Sequence, residues 1–222
     1  MPKPTLIYFP ARGRGEVIRL LLAEAGVEYD EHHVGKGTPP ADGRPTDLAE
    51  LKRAGVLPFG AVPAWEEPGG FRLVQSAAIA NHLARRHGLR GATPLETARC
   101  DELLGAVEDV RIALRTIGAA APEQRAAVRA DLLASVVPRW LGDLERYLRP
   151  NLEATGFAVG RTLTVADLSL WYLLETLRDN DFGAALEPCP ALRAFFDRIA
   201  ARPRLAAYLA SPRRLPFTPL PR

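Results

Sequence analysis

Residues 5–26, TLIYFPARGRGEVIRLLLAEAG, contain the pattern that decides the fold of the N-terminal half of the chain. Residues 5–9 are rich in β-branched and aromatic side chains and stop at Pro10, which is typical of a β-strand. Apolar side chains then recur at helical spacing over 15–25, and Gly26 provides a helix terminator. The stretch therefore predicts a strand, a glycine-containing loop and a helix in direct succession.

The chain up to about residue 90 continues this alternation of strands and helices. Further elements are predicted as strands over 27–34, 62–65 and 71–74, a loop over 35–45 and a helix over 76–87. The turn Pro68-Gly69-Gly70 joins the last two strands as an antiparallel hairpin. Ser76 can cap the helix and Gly88 can end it. This order predicts a small α/β domain that resembles thioredoxin.

From Thr93 onward, helical periodicity replaces the alternating pattern. Helices are predicted over 95–117, 123–148, 165–177, 192–201 and 204–209. The prolines that fall between or beside them, where a missing N–H does little harm, are Pro122, Pro150, Pro188, Pro190, Pro203 and Pro212. Pro138 lies inside a predicted helix and indicates a kink or a break. We therefore expect a first domain over 1–87, a linker over 88–94 and an all-α second domain over 95–222, which includes the C-terminal tail.

One motif of the second half is predicted to be structural. Thr164-Val165-Ala166-Asp167 has the form of a capping box ahead of an apolar run that begins at Leu168. We therefore expect Thr164 and Asp167 to fix the start of a helix and to take no part in catalysis.

Length and composition limit the class of protein. A chain of 222 residues fits one large or two small domains, and 47% hydrophobic with 25% charged residues is typical of a globular protein. The formal net charge is only +3, and the one basic cluster is the acid-free stretch beyond Asp197. No nucleic-acid partner is therefore predicted. Cys100 and Cys189 are too few for a disulfide scaffold or a cysteine-rich metal site. Without a membrane-spanning apolar run or a visible signal peptide, we expect a cytoplasmic protein with no membrane partner and no metal.

Three motifs of the first half, together with the all-helical second half, carry a resemblance to a known family. They are the stretch YFPARGRGE over 8–16, the Val62-Pro63 step and the pair Gln75-Ser76 at a helix start. In this order and spacing they resemble the cytosolic glutathione S-transferases, and among these the tyrosine-type group with the sigma, pi, mu and alpha classes. The resemblance covers about residues 4–210. It implies the glutathione S-transferase fold, a role in detoxification and a homodimer that binds glutathione on the thioredoxin-like domain and a small apolar electrophile on the helical one.

Tyr8 and Arg14 are the predicted catalytic residues. A free thiol has a pKa of about 8.5, so only a few per cent of it is thiolate at neutral pH. A phenol at the end of a strand can donate a hydrogen bond to the sulfur and so favour the thiolate. The resemblance matches Tyr8 to the family's catalytic tyrosine, and Arg14, beside the positive end of a helix, to an arginine that lines the glutathione site. The alternatives are a tyrosine that only closes a strand and an arginine exposed to solvent.

Two further motifs are predicted to hold the glutathione backbone and one of its carboxylates. In the thioredoxin-like fold the proline before the third strand is cis and exposes the main-chain groups of the residue before it, here Val62 before Pro63. Those groups can pair with the extended cysteinyl unit of glutathione as an added strand would. Gln75 and Ser76 open a helix whose free N–H groups and dipole suit the γ-glutamyl carboxylate. A trans proline and a serine that only caps the helix are the alternatives.

The resemblance also implies a lysine for the glycyl carboxylate and a glutamine before Val62. The lysine position aligns with Ala54, so Lys52 or Arg53 is expected to take its place after a small shift of the loop. The glutamine position holds Ala61, which removes one contact to glutathione.

Two residues match positions at the dimer interface of the family. Asp109 matches an aspartate that reaches the glutathione amino group across the interface, and its alternative is a place on a solvated helix face. Phe59 matches an aromatic residue that inserts into the partner subunit, and its alternative is a place in the core.

The sequence therefore predicts a homodimeric glutathione transferase in which Tyr8 activates glutathione for attack on a small apolar electrophile. One alternative uses the same site: a glutathione-dependent isomerase of the prostaglandin D synthase type would regenerate glutathione in every cycle. The other alternative is a non-enzymatic glutathione- or ligand-binding protein of the same fold. The electrophile pocket is expected to involve the loop after Phe9, residues 112–117 and the C-terminal tail, and these positions specify no particular substrate.

Overall fold

The structure, a computed structural model, describes residues 2–35 and 45–222, which form two compact units. The first unit contains the described residues up to His87 together with Ala207–Thr218, and the second contains Gly88–Ala206 and Pro219–Arg222. We name Ala207–Thr218 the C-terminal segment. The sequence patterns place it in the second domain, whereas the structure groups it with the first unit. The difference arises because the segment is hydrogen-bonded to Arg12 and Glu16, which no local sequence pattern reports.

The first unit is built on a four-stranded sheet with the strand order β2-β1-β3-β4. The strands are β1 Thr5–Tyr8, β2 Asp30–His33, β3 Ala64–Glu66 and β4 Arg72–Val74. β1 and β2 run parallel, whereas β3 is antiparallel to both β1 and β4. The strands follow the predicted order, but their ends differ because flanking apolar residues bond elsewhere. Val27, for example, donates its N–H to the carbonyl of Leu22 at the end of the preceding helix.

Helices α1 Glu16–Ala25, α2 Leu48–Arg53 and α3 Ser76–Arg86 surround this sheet. α1 and α3 pack against each other, and Gly26, at a φ of 68°, ends α1 as predicted. The sequence patterns do not predict α2, because a helix of 6 residues is too short to show a periodic apolar face. Asp47 caps it by accepting hydrogen bonds from the N–H groups of Ala49 and Glu50. Most of the predicted loop, residues 36–44, lies outside the described residues.

The second unit is helical and contains α4 Pro94–Ala119, α5 Arg125–Asp131, α6 Val137–Thr155, α7 Val165–Asp179 and α8 Pro190–Ala200, followed by α9 Pro203–Leu209, which leads into the C-terminal segment. The helix predicted over 123–148 is interrupted ahead of Pro138, as expected: Leu132–Val136 form a π turn, and Val137 donates to the carbonyl of Leu132. The prediction that Pro150 lies beside a helix is wrong, because Pro150 lies inside α6. Buried Leu148 and Leu152 on either side of it hold this part of α6 in the core.

α7 packs against α4 and is buried along most of its length. The Asp167 carboxylate at its start accepts hydrogen bonds from the N–H groups of Thr164 and Ala158, both at 2.7 Å, and from the Thr164 hydroxyl at 2.8 Å. Burial raises the pKa of Asp167 to about 6, although these hydrogen bonds oppose the shift. The capping box predicted for this motif is confirmed.

The sequence was expected to lack a membrane-spanning segment. Over residues 2–35 and 45–222, no helix combines the length and the apolar character that crossing a bilayer requires.

Candidate active site

Tyr8 ends β1 and is 8% exposed. Its hydroxyl oxygen accepts a hydrogen bond from the backbone N–H of Arg14 at 2.8 Å. In the part of the chain that the structure describes, no acceptor takes the hydroxyl proton of Tyr8. The proton is therefore available to a ligand, and the hydrogen bond that the oxygen accepts makes the hydroxyl a better donor.

The loop after β1 lies against the Tyr8 ring because Gly13 and Gly15 carry no side chain. A Cβ atom on Gly13, whose φ is +39°, would lie 2.6 Å from Tyr8 Oη. A Cβ atom on Gly15 would lie 2.8 Å from Tyr8 Cδ1. These distances are too short for carbon contacts, so the two glycines allow the Arg14 N–H to reach the hydroxyl.

A buried guanidinium, that of Arg19 on α1, supports the same loop. Arg19 donates hydrogen bonds to the carbonyl oxygens of Ala11 at 2.9 Å and Arg12 at 3.4 Å, and its guanidinium carbon lies 5.8 Å from the centre of the Tyr8 ring. On its other side it makes two hydrogen bonds to Glu31 on β2, at 2.8 and 2.9 Å. No sequence pattern predicted the Arg19–Glu31 pair. Its signal is an arginine among the apolar residues of α1.

Charge compensation explains how Arg19 and Glu31 tolerate burial. Burial disfavours the charge on Arg19, but the hydrogen bonds and negative charge of Glu31 outweigh it and raise the pKa of Arg19. Burial likewise raises the pKa of Glu31, but the Arg19 hydrogen bonds prevail and the net shift is downward.

Among residues 2–35 and 45–222, no three His, Cys, Asp or Glu side chains come together as a metal site.

The Val62–Pro63 peptide bond, between α2 and β3, is cis. Val62 is half-buried and packs against the apolar cluster beneath α2, and Pro63 is buried. Before this step the chain turns at Gly60, whose φ is +67°, and a Cβ atom there would lie 3.5 Å from Nζ of Lys52. Of the two cations predicted for the glycyl carboxylate, Lys52 therefore lies over the turn that leads to Val62. Arg53 is exposed at the end of α2.

Gln75 joins β4 to α3 in a conformation that L-amino acids rarely adopt, with φ 75° and ψ 117°. Ser76 is the first residue of α3, so the prediction that Ser76 caps this helix is wrong: Gln75 holds the cap position because the chain bends there. The Gln75 side chain accepts no capping hydrogen bond, which leaves the first-turn N–H groups for an anion. Such backbone strain costs about 1–3 kcal/mol and clusters at ligand sites.

Asp109 and Phe59 lie on exposed surfaces of different units. Asp109 is exposed on α4 in the second unit, and within the described residues it forms no ion pair. Phe59 follows α2 in the first unit and is 71% exposed, which contradicts the alternative that it packs in the core of this unit.

Comparisons with known proteins agree with the architecture of the chain. Residues 4–85 match the N-terminal domain of glutathione S-transferases, and residues 108–212 match their C-terminal domain. The chain belongs to the glutathione S-transferase family.

Several relatives match over nearly their whole length. The chain is 37% identical over 214 residues to Glutathione S-transferase P 1 of Bufo bufo, covering 95% of this chain and 93% of that protein. It is 35% identical to Glutathione S-transferase A2 of Mus musculus, with coverages of 93% and 88%. Hematopoietic prostaglandin D synthase of Gallus gallus is 32% identical, with coverages of 94% and 96%. The solved structure of NaGST-2 superposes with a TM-score of 0.79 at 26% identity and covers 98% of this chain and 99% of its own.

The predicted family, the fold with its thioredoxin-like and helical parts, and the enzyme class of glutathione transferase are thereby confirmed. Members of this family use glutathione as their cosubstrate.

Proposed function

We propose that Tyr8 activates the thiol of glutathione for attack on a small apolar electrophile. The observation that carries this proposal is the state of the Tyr8 hydroxyl, which accepts the Arg14 N–H and keeps a proton that no described residue takes. Donated to the glutathione sulfur, this proton favours thiolate over thiol and lowers the pKa of the thiol. The enzyme thus supplies a nucleophile that free glutathione offers only in small part at neutral pH.

The other predicted residues of the first unit are proposed to hold the tripeptide. The main-chain groups of Val62, ahead of cis Pro63, pair with the cysteinyl unit. The first-turn N–H groups behind Gln75, with the Ser76 hydroxyl, take the γ-glutamyl carboxylate. Lys52, whose ammonium group lies beside Gly60, takes the glycyl carboxylate, a role for which its position favours it over Arg53. The guanidinium of Arg14 lines the same site.

A groove on the second unit supports the proposal of an apolar electrophile. It has a volume of about 550 Å³ and is lined by Ile112, Arg115, Thr116, Gly118, Ala119 and Leu220. Leu220 is held there because its N–H donates to Asn180 at 2.8 Å. The groove thus combines a part of the predicted stretch 112–117 with a residue of the C-terminal tail. Its largely apolar lining suits an apolar substrate.

We further propose that the enzyme is a homodimer in which Phe59 of one protomer enters a groove on its partner. The receiving groove, of about 380 Å³, lies on the second unit between α4 and α6, and Leu95, Leu103 and Tyr147 are among its lining residues. An exposed phenylalanine and a matching apolar groove, with Leu95 itself 71% exposed, indicate a protein interface. In such a dimer, exposed Asp109 is proposed to reach the amino group of glutathione on the other protomer.

Replacing Tyr8 with phenylalanine tests the proposed role of its hydroxyl. Hydrogen bonds to charged groups contribute about 1.5–3 kcal/mol, so kcat with a generic aryl halide should fall about 10- to 150-fold in Tyr8→Phe. Retention on immobilised glutathione should stay nearly unchanged, because the tripeptide is held by other residues. Equal kcat in the two proteins would remove Tyr8 from the mechanism.

The same preparation separates the rival functions. Because one relative is a prostaglandin D synthase, prostaglandin endoperoxide should be offered with isotopically labelled glutathione. Label in the product supports transfer, whereas isomerised product without label supports the isomerase. Retention on glutathione without any turnover supports a non-enzymatic binder. The resemblance to cytosolic glutathione S-transferases supports the cytoplasm as the location of the protein.

A further inference from the structure

A buried carboxylate, that of Glu16 at the start of α1, receives hydrogen bonds from the C-terminal segment. Glu16 has no solvent exposure, and its oxygen Oε1 accepts a hydrogen bond from Nε of Arg214 at 3.2 Å. The Tyr208 hydroxyl lies 3.2 Å from both carboxylate oxygens. Burial raises the pKa of Glu16, and the positive charges of Arg19 and Arg214 oppose that shift. The segment thus supplies two of the groups that allow a carboxylate to be buried here, Arg214 and Tyr208.

The C-terminal segment also holds the loop after β1 directly. Nε of Arg12, in the middle of this loop, donates to the carbonyl of Leu215 at 2.8 Å. The Arg12 guanidinium carbon lies 5.8 Å from the centre of the Phe217 ring. A third contact lies nearby, where Arg213 stacks on Tyr29 with 4.9 Å between guanidinium carbon and ring centre. The loop is therefore fixed from outside by the segment.

Contacts continue from Glu16 to Tyr8 through Arg19. Nη1 of Arg19 lies 3.5 Å from Glu16 Oε2 and donates to the carbonyl of Ala11 at 2.9 Å. The loop that begins at Ala11 ends at the Arg14 N–H, which is bonded to Tyr8 Oη. Removal of Arg214 would leave Arg19 and Arg12 as the cations that act on Glu16. Arg19 would then be drawn toward Glu16 and away from the Ala11 carbonyl. The Arg14 N–H would then be less well aligned with the Tyr8 hydroxyl.

We propose that Arg214, acting through Glu16 and Arg19, positions the loop that aligns the Tyr8 hydroxyl for catalysis. The proposal rests on the proposed function of Tyr8. Arg214 touches no reacting atom in it and is a positioning residue, not a catalytic one. Because small displacements of a catalytic group cost up to about a hundredfold in rate, Arg214→Ala should lower kcat by about tenfold to a hundredfold. KM for glutathione should change little.

The pH dependence distinguishes positioning from a general loss of structure. A poorly aligned Tyr8 stabilises the thiolate less, so the acidic limb of the kcat profile should move to higher pH in Arg214→Ala. Arg214→Lys, which keeps the charge, should restore part of the profile. Phe217→Ala, which removes the ring that the Arg12 guanidinium contacts, should produce a smaller shift in the same direction. Arg193→Ala is the control, because Arg193 is exposed in the second unit and pairs with Glu187.

Hydrogen–deuterium exchange tests the same proposal without any turnover. Backbone amides over 9–16 should exchange faster in Arg214→Ala than in the wild type, while those of α7 should not change. Unchanged exchange over 9–16 overturns the proposal, and so does faster exchange with an unaltered kcat and pH profile. A wild-type protein that neither binds nor conjugates glutathione overturns the proposed function, and with it the role of Arg214 in that reaction. The exchange result then still reports whether the segment holds the loop.

Discussion

Gly15 decides, as a single residue, how closely the loop after β1 can approach the catalytic candidate. Its backbone has an ordinary φ of −77°, so any amino acid could adopt the conformation, and only space forbids a side chain. A Cβ atom would lie 2.8 Å from Tyr8 Cδ1 and 3.2 Å from Nη1 of Arg19. Both neighbours are held by other contacts and cannot move away freely.

Gly15→Ala should therefore lower the free energy of unfolding by about 1–3 kcal/mol, the usual cost of overpacking, and should lower kcat as Tyr8 is displaced. Urea unfolding and turnover of the aryl halide measure the two effects. Gly142→Ala is the matched control with the opposite sign. Gly142 lies within α6 with nothing inside 4 Å of a new Cβ atom, so alanine should stabilise the helix by about 0.5–1 kcal/mol. Equal effects of the two substitutions would contradict the steric argument.

Sequence patterns predict the structural features that depend on residues close together in the chain. The helix end at Gly26 and the capping box at Asp167 follow local rules and occur as predicted. The first strand also forms, but it ends at Tyr8, one residue before the predicted end. The Arg19–Glu31 pair could not be predicted in this way. It depends on the parallel pairing of β1 and β2, which brings residues from separate elements together.

At the scale of elements, Glu67 connects the β3–β4 hairpin to α3. Its carboxylate receives hydrogen bonds from His82 and Arg86 on α3 and from Trp65 on β3, at 3.0, 2.6 and 3.1 Å. Burial alone would raise the pKa of Glu67, but these donors outweigh it and lower the pKa to about 2. The ionised carboxylate is therefore the form that the folded state stabilises.

Because the folded pKa of Glu67 lies below the ordinary value of 4.5, its contribution to stability is present above about pH 4.5. It is lost as the pH falls from there toward 2, because over this range the unfolded state takes up a proton that the folded state does not. Wild type should thus exceed Glu67→Gln in free energy of unfolding by on the order of 2 kcal/mol at pH 7. Chemical denaturation of both proteins between pH 3 and pH 7 should show the gap narrowing toward acid. A difference in free energy of unfolding that does not change with pH would contradict the assigned ion pairs of Glu67.

Local sequence rules predict some helix boundaries of this protein and not others. The break ahead of Pro138 follows from a missing N–H, which the sequence displays directly. α2 depends instead on the cap at Asp47 and on packing of its buried Leu51, and its few residues show no period. Pro150 inside α6 shows the converse, because buried leucines on both sides outweigh a local signal to stop.

At the scale of the whole molecule, Phe59 and the groove between α4 and α6 lead to a prediction about assembly. Phe59→Ala should shift the protein from dimer to monomer in sedimentation equilibrium, because it removes the aromatic group proposed to fill the groove. Phe71→Ala is the control: Phe71 is 47% exposed, but its ring lies against His82 of the same chain, 5.2 Å between centres. It should leave the dimer intact. If Phe59→Ala dimerises with unchanged affinity, the dimer interface lies elsewhere on the protein.

The division of the chain between the units has a consequence for its biosynthesis. A ribosome completes residues 88–206 before it makes the C-terminal segment, although that segment packs on the first unit. Until then, the nascent first unit contains Glu16 without Arg214 and Tyr208, its partners in the folded protein. Both units therefore wait for residues beyond 206, the N-terminal one for the C-terminal segment and the helical one for Pro219–Arg222. The half of the protein that is made first thus cannot reach its final structure as it emerges, in contrast to the usual order in which domains fold during synthesis.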